Sequence, residues 1–201
     1  MLTIHTDSRG HALAVRGDSI ADAGSLEELL AAHPHARVRE WPGILTPGLV
    51  NPHGTELLEE AYHPDPREAG ELGTEPLTGD AYAALALDDV RRGASARRGA
   101  QRMLAHGTVA VACEPLRDRA VLDAVRRTGL DIVDRRERPG GTPSLDPYAS
   151  GPPVRFLPVP VRGSAARFAV FDVPDEAELA RRGSGTCVAT VVSGRLVYRR
   201  R

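Results

Sequence analysis

Lysine is missing altogether from the 201 residues, so all 26 basic side chains are arginine. Cysteine and methionine occur twice each, tryptophan once, and aromatic residues make up only 4%. Cys113 and Cys187 match no zinc-binding or redox spacing; each lies beside β-branched residues, which predicts buried, reduced thiols. No apolar run approaches the roughly 20 residues that cross a bilayer. The opening Met1 to Thr6 has neither the basic nor the apolar region of an export signal, so a cytoplasmic location is expected. A formal net charge of −1 supplies no bulk attraction to nucleic acid or to an anionic membrane, and neither is an expected partner. What is present is ordinary: 41% hydrophobic residues, sufficient at this length for a buried core. The 20 glycines, 16 prolines and exclusive use of arginine point to a GC-rich coding genome and a solvated, arginine-rich surface more than to a function.

The chain divides into three stretches. Residues 1–50 read as short strands: Leu2 to His5, a turn at Asp7 to Gly10, His11 to Val15, a turn at Gly17-Asp18, and Ser19 to Gly24. Ser25 with Glu28 forms a capping box for a short helix that Pro34 ends, and Ala36 to Trp41 alternates like a half-buried strand. Residues 51–135 alternate helix and strand. A long helix is predicted from an N-cap at Asp80 to about Ala105, weakened at Gly93 and Gly99. Thr108 to Cys113 is apolar on both faces, as a buried parallel strand would be. A helix from about Arg117 to Thr128 and a strand from Leu130 to Val133 follow, so right-handed parallel crossovers are expected. Residues 136–153, with Pro139-Gly140-Gly141 and Gly151-Pro152-Pro153, read as an exposed linker. Strands return at Val154 to Pro158, Phe168 to Asp172, Cys187 to Val192 and Arg195 to Tyr198, with a helix over Asp175 to Arg182. Sheet at both ends around a helix–strand middle predicts an α/β protein. Residues 1–50 with 154–201 would form one composite, sandwich-like β domain, and 51–135 an insert.

Three strings carry a resemblance: Ser19-Ile20-Ala21-Asp22-Ala23-Gly24 ahead of the short helix; Thr46-Pro47-Gly48-Leu49-Val50-Asn51-Pro52-His53; and Val191-Val192-Ser193-Gly194-Arg195-Leu196-Val197-Tyr198 after Phe168 to Asp172. Together the chain resembles the amidohydrolase superfamily, in its imidazolonepropionase and aminodeoxyfutalosine-deaminase branch. The resemblance implies a β domain built from both ends around a (β/α) barrel, here a truncated remnant, since a full barrel has eight strands in about 250 residues. It also implies a His-x-His pair ending the first barrel strand as ligands for zinc or iron, both imidazoles on one side of an extended strand. The string here is His53-Gly54-Thr55, so Thr55 stands at the second ligand position and His53 is a vestigial ligand. Of the later histidines, His63 lies in a proline-rich stretch and His106 at a helix end.

Other candidates have bland readings beside them. His33-Pro34-His35 is a turn. Glu56, Glu59 and Glu60 could supply carboxylates, or form the polar start of a helix. Cys113 and Glu114 fall where barrel enzymes place catalytic groups, yet no histidine in that layer activates the thiol. The candidate pocket is therefore His53, Thr55, Glu56, Cys113 and Glu114, with no residue assigned a catalytic role and no cofactor expected. The resulting expectation is an amidohydrolase-like protein without catalysis, acting as a binding or assembly partner and self-associating through the open edge and uncovered face of its middle segment. The alternatives are a metal-dependent hydrolase of cyclic C–N bonds in imidazolone-like or aminodeoxyfutalosine-like substrates, its zinc or iron held by His53, Glu56 and a residue of a partner chain, and a scaffolding subunit for another enzyme.

Overall fold

The computed structural model describes residues 1–200. Strands β1 (Leu2–Thr6), β2 (His11–Arg16) and β3 (Ser19–Ser25) form an antiparallel meander, and β4 (Arg37–Glu40) adds parallel to β1. Asp7 makes the first turn: its Oδ1 accepts from the backbone N–H of Arg9 and His11, and its Oδ2 reaches Leu45 N–H at 3.0 Å, tying this sheet to the next segment. Helix α1 (Leu26–Ala32) has the expected capping box between Ser25 and Glu28, and it ends at His33.

Strand β5 (Ile44–Pro47) belongs to a second sheet, while β6 (Leu49–Asn51) opens a third. Helix α2 (Gly54–Leu58) follows. Then come a small hairpin of β7 (Ala61–Tyr62) and β8 (Leu77–Thr78) enclosing α3 (Ala69–Leu72), and next α4 (Gly79–Ala83) and α5 (Asp89–Ala105). The long helix expected from Asp80 is thus two helices. The chain breaks at Ala86, whose φ of +43° is left-handed, and restarts at Asp88, whose carboxylate accepts from Arg91 N–H. Burial of Leu87 and the hold of the Arg92 guanidinium on its carbonyl fix the break, an instance of tertiary contacts overriding helix propensity. The expected weak points Gly93 and Gly99 do not interrupt α5. At residue 99 a Cβ would lie 2.5 Å from the His63 ring, so glycine is what lets the helix approach.

Strand β9 (Thr108–Cys113) is buried throughout, and α6 (Arg119–Thr128) returns to β10 (Asp131–Asp134). The order β10-β9-β6 is parallel, as expected for crossover units, and the sheet stays open. Its other edge is taken by β11 (Arg155–Phe156), antiparallel to β6. The stretch Val154 to Pro158 was expected among the closing strands of the β domain; it lies instead on this third sheet. Residue 157 still bonds, N–H to Gly48 C=O at 2.8 Å, and Pro158 and Pro160 then lack the N–H needed to continue.

The second sheet, β14-β13-β12-β5, gathers β12 (Phe168–Phe171), β13 (Cys187–Val192) and β14 (Arg195–Arg199), with α7 (Glu176–Arg182) between β12 and β13. It faces the first sheet through Leu13, Val15 and Ile20 packed with Phe168 and Val191. Of the linker expected over 136–153, Arg136 to Arg138 and Gly140 to Pro143 are exposed as expected, whereas the part from Ser144 to Ser150 is pinned down. Asp146 accepts from the backbone and hydroxyl of Ser184, Asn51 Nδ2 donates to Ser144 C=O at 2.8 Å, and Ser150 is buried. Leu145 and Leu157 both pack against the core cluster that β9 shares with the helices, and Leu157 also packs on Val50, Ala110 and Ala112, which are at most 4% exposed. The face expected to need an outside cover is therefore buried within the chain, because an apolar parallel sheet exposed on one side would leave Leu157 and these small side chains in water. Among the described residues no helix is long and apolar enough to cross a membrane.

Candidate functional site

The C-terminal ends of β6, β9 and β10 come together, the place where a (β/α) unit gathers functional groups. His53, Thr55 and Glu56 arrive from the β6–α2 junction, Cys113 and Glu114 from the end of β9. All five residues singled out in the sequence stand in this layer, and what joins them is a sixth, Arg135, one position beyond β10. Its Nη1 and Nη2 each lie 2.9 Å from an oxygen of Glu56, Nη1 also donates to Pro52 C=O at 2.7 Å, and Nη2 lies 3.3 Å from Glu114 Oε1. The pair is nearly dry, with the side chains of Arg135 and Glu56 only 7% and 11% exposed. Arg138 adds an outer layer, reaching Glu114 at 3.4 Å and pairing with Glu60. Burial pushes the Glu56 carboxyl up, but the hydrogen bonds and charge of Arg135 outweigh it and hold the group below its ordinary range; the same pairing raises the guanidinium.

His53 is 1% exposed, and neither ring nitrogen has a hydrogen-bond partner. Burial lowers its pKa, outweighing the nearby Glu56 charge that raises it, and the smaller effect of the Arg135 charge adds to the lowering, which favours the neutral ring. Strand β6 already ends at Asn51, whose Oδ1 accepts from His53 N–H at 2.9 Å. His53 is the N-cap of α2, and residues two apart on a helix do not face each other. The implied extended His-x-His geometry is therefore absent as well as the second histidine. Thr55 is buried and its Oγ1 accepts from Glu114 N–H at 3.0 Å, joining α2 to the end of β9. Cys113 is a buried thiol pushed up to about 12 by desolvation, and Cys187 one pushed up to about 11. Neither is a poised nucleophile.

Gly54 explains why this corner is tight. A Cβ there would stand 2.3 Å from Cys113 Sγ and 2.9 Å from Ala112 O. Gly54→Ala is expected to lose roughly 1–3 kcal/mol through overpacking, read as a lower urea midpoint at unchanged slope; an unchanged midpoint would refute the contact.

The remaining candidates are structural. Glu59 Oε1 accepts from the N–H groups of Arg117 and Asp118 at the start of α6. His63, expected in a loop, is buried with Nε2 2.7 Å from Leu57 C=O. His106 Nδ1 meets Ser184 Oγ at 3.0 Å, far along the chain from His53. His33 caps α1, as the turn reading of His33-Pro34-His35 has it. Among the described residues no three His, Cys, Asp or Glu side chains stand close enough to hold a metal. The donor set does not fit a divalent ion either. One imidazole is accompanied by a carboxylate whose two oxygens are already committed to a guanidinium, where at least three free ligands are needed. Arg135 was not singled out in the sequence, where it only closes the 51–135 stretch ahead of the linker. The signal that marks it is its place directly after the third parallel strand.

Residues 12–36, from β2 to the end of the α1 turn, match the model of a family described as imidazolonepropionase-like composite domain, bacteria. Of the three strings that carry the resemblance, Ser19 to Gly24 lies inside this match. No curated protein matches the chain. Among solved structures, Aspergillus niger (A. niger) ochratoxinase is 18% identical with a TM-score of 0.46, covering 66% of this chain and 31% of that one. N-isopropylammelide isopropylaminohydrolase from Burkholderia multivorans ATCC 17616 is 21% identical with a TM-score of 0.44, covering 67% and 37%. Guanine deaminase from Bradyrhizobium japonicum is 19% identical with a TM-score of 0.39, covering 62% and 27%. The chain therefore spans 27% to 37% of the length of these three proteins.

Proposed function

We propose that this chain is an amidohydrolase-like protein that does not catalyse hydrolysis and acts as a cytoplasmic binding or assembly partner. The observation that carries the reading is the bidentate Arg135–Glu56 pair at the strand ends, which spends the one carboxylate beside His53 on an internal cation. Thr55 likewise spends its hydroxyl on backbone. The division into a composite β part, 1–50 with most of 154–201, and a (β/α) part around 51–135 belongs to this reading. Self-association does too. Strand β10 has no neighbour on its outer side among the described residues, and beside it lies a notch of about 590 Å³ lined by Leu116, Leu122 and Ile132. An unpaired parallel edge with apolar side chains next to it is the kind of surface a second copy covers.

A second reading has its own observation. His53, buried with two unpartnered ring nitrogens, is what a metal-dependent hydrolase of cyclic C–N bonds would need as one ligand, with Glu56 and a partner-chain residue completing a zinc or iron site. Protein purified without a tag separates the two. The expected result is no bound zinc or iron by elemental analysis and no hydrolysis of imidazolone-like or aminodeoxyfutalosine-like substrates. Stoichiometric metal that disappears in His53→Ala would establish the second reading. For self-association, sedimentation at micromolar concentration is expected to give a dimer, and a clean monomer would remove that part.

A further inference from the structure

After β10 the chain crosses the end of β6 in a loop that closes on itself. Thr142 N–H donates to Ser150 C=O at 3.0 Å, which brings the two ends of the loop together. Glycine stands at both ends, Gly141 at φ +87° and Gly151 at φ +95°. A Cβ on Gly141 would run into the Ser150 carbonyl, so the closure depends on that glycine. Between the ends the loop lies on the strand-end layer. Asn51 Nδ2 donates to Ser144 C=O at 2.8 Å, and the turn Pro147–Ala149 packs on β6. Ser150 is buried, and its backbone acts on the His53 ring, opposing the lowering of that pKa. We infer that residues 141–151 are a lid over the His53 end of the layer, and that Asp146 seated on Ser184 is the latch that keeps it shut.

The inference rests on the strand-end layer being the site that the proposed function concerns, and it adds what controls access to it. The latch joins three elements. Asp146 accepts from Ser184 N–H at 3.1 Å and from Ser184 Oγ at 2.8 Å, ahead of β13. Ser184 is 0% exposed, and its Oγ lies 3.0 Å from His106 Nδ1 at the end of α5. The hydroxyl gives its proton to the carboxylate, so it accepts from the ring N–H. Besides this latch and the Asn51 amide, the hydrogen bonds of 141–151 among the described residues are internal to the loop. Its apolar hold is Pro147, which is buried, with Leu145 and Tyr148 only partly so. Lifting the loop therefore breaks no strand pairing, and a segment with its own internal bonds can open as a unit while the sheet stays folded. The carboxylate is the strongest single hold, because hydrogen bonds to a charged group are worth more than neutral ones.

The test uses the whole chain as native protein, Asp146→Ala and Ser184→Ala. The probe is diethyl pyrocarbonate, which reacts with accessible neutral imidazoles, and peptide mass spectrometry reads each histidine. Exposed His11 and His35 are the reactive controls, and buried His5 and His63 the protected ones. His53 is expected to react slowly in native protein and about 10–100-fold faster in Asp146→Ala, the factor that losing a charge-assisted hydrogen bond puts on an opening equilibrium. Ser184→Ala keeps the backbone donor and should give a smaller rise, with His5 and His63 unchanged in both variants. In native protein the N–H groups of Thr142 and Ser184, bonded to Ser150 and Asp146, should exchange hydrogen faster than those of β9 and with little dependence on urea, as a local opening does. His53 equally protected in Asp146→Ala overturns the inference, because the latch then holds nothing. So does a joint rise of His5, His53 and His63, or an Asp146→Ala chain that does not fold, because Asp146 then supports the whole fold. Exchange at Thr142 and Ser184 that tracks β9 as urea is raised overturns it as well. Metal content and oligomeric state decide the proposed function and are separate readouts, so the two fail independently.

Discussion

Acidifying the protein from pH 7 to pH 5 is expected to remove about 4 kcal/mol of its stability, and about 6 kcal/mol by pH 4. His5 and His63 carry most of this, and His53 and His106, also lowered by burial, add in the same direction. His5 is 4% exposed, stacked on Trp41 and edge-on to Phe168, and its Nδ1 accepts the Trp41 indole N–H at 3.1 Å. An accepting nitrogen carries no proton, so the packing requires the neutral ring. Burial, with the Arg39 charge added, lowers its pKa to about 4. His63 is 1% exposed and bonded through one nitrogen only; burial, with Arg102 and Arg98 nearby, lowers it to about 4 as well. Both unfolded rings titrate near 6.5. Above that pH neither state binds the proton. Below it the unfolded chain does and the folded chain does not, so stability is lost as pH falls from about 6.5 towards 4. Carboxylates begin to contribute only near 4.5, which leaves the window from pH 6.5 to 5 to histidine. Urea unfolding at pH 7.5, 6 and 5 measures the slope, and His5→Gln should remove at most about half of it. A stability flat across that window would refute the assignment.

The second large effect belongs to the Arg135–Glu56 pair. Glu56→Gln, or Arg135→Ala, is expected to cost about 3–5 kcal/mol, because each leaves a nearly buried charge without its partner. The pair itself need not be worth that much, since forming it required removing both charges from water. The double variant Arg135→Met/Glu56→Leu therefore tests the mechanism: it should recover most of the loss, where two independent defects would add. Arg138→Ala should do little, its side chain lying in solvent and screened. A Glu56→Gln variant as stable as the native chain would show that water, not Arg135, solvates the carboxylate.

Much of the fold was legible in local sequence. The capping box at Ser25 and Glu28, the turn at Asp7, the hairpin at Ser193-Gly194 and the continuous apolar run Thr108 to Cys113 each encode their structure within a few residues, since backbone hydrogen-bond partners and burial periodicity there are near neighbours. Of the five candidate residues, Cys113 and Glu114 follow from locating a strand end in the alternation of strand and helix, whereas His53 and Thr55 come from the family resemblance and Glu56 from standing next to them. That Thr55 stands where a second imidazole would be is read from the sequence through the family resemblance.

What only tertiary structure decided involves partners distant along the chain. The chain breaks at Ala86, between α4 and α5, because Leu87 is buried and Arg92 holds its carbonyl. The 136–153 stretch is fastened by Ser184 and Asn51, 38 and 93 positions away from its own Asp146 and Ser144. In the sequence Arg135 is one arginine among several at the edge of the linker, until β10 delivers it to Glu56, 79 positions earlier. Composition specifies that an arginine is charged. Whether that charge is solvated or becomes the internal cation of a strand-end layer depends on which carboxylates the fold brings to it and how much water it excludes.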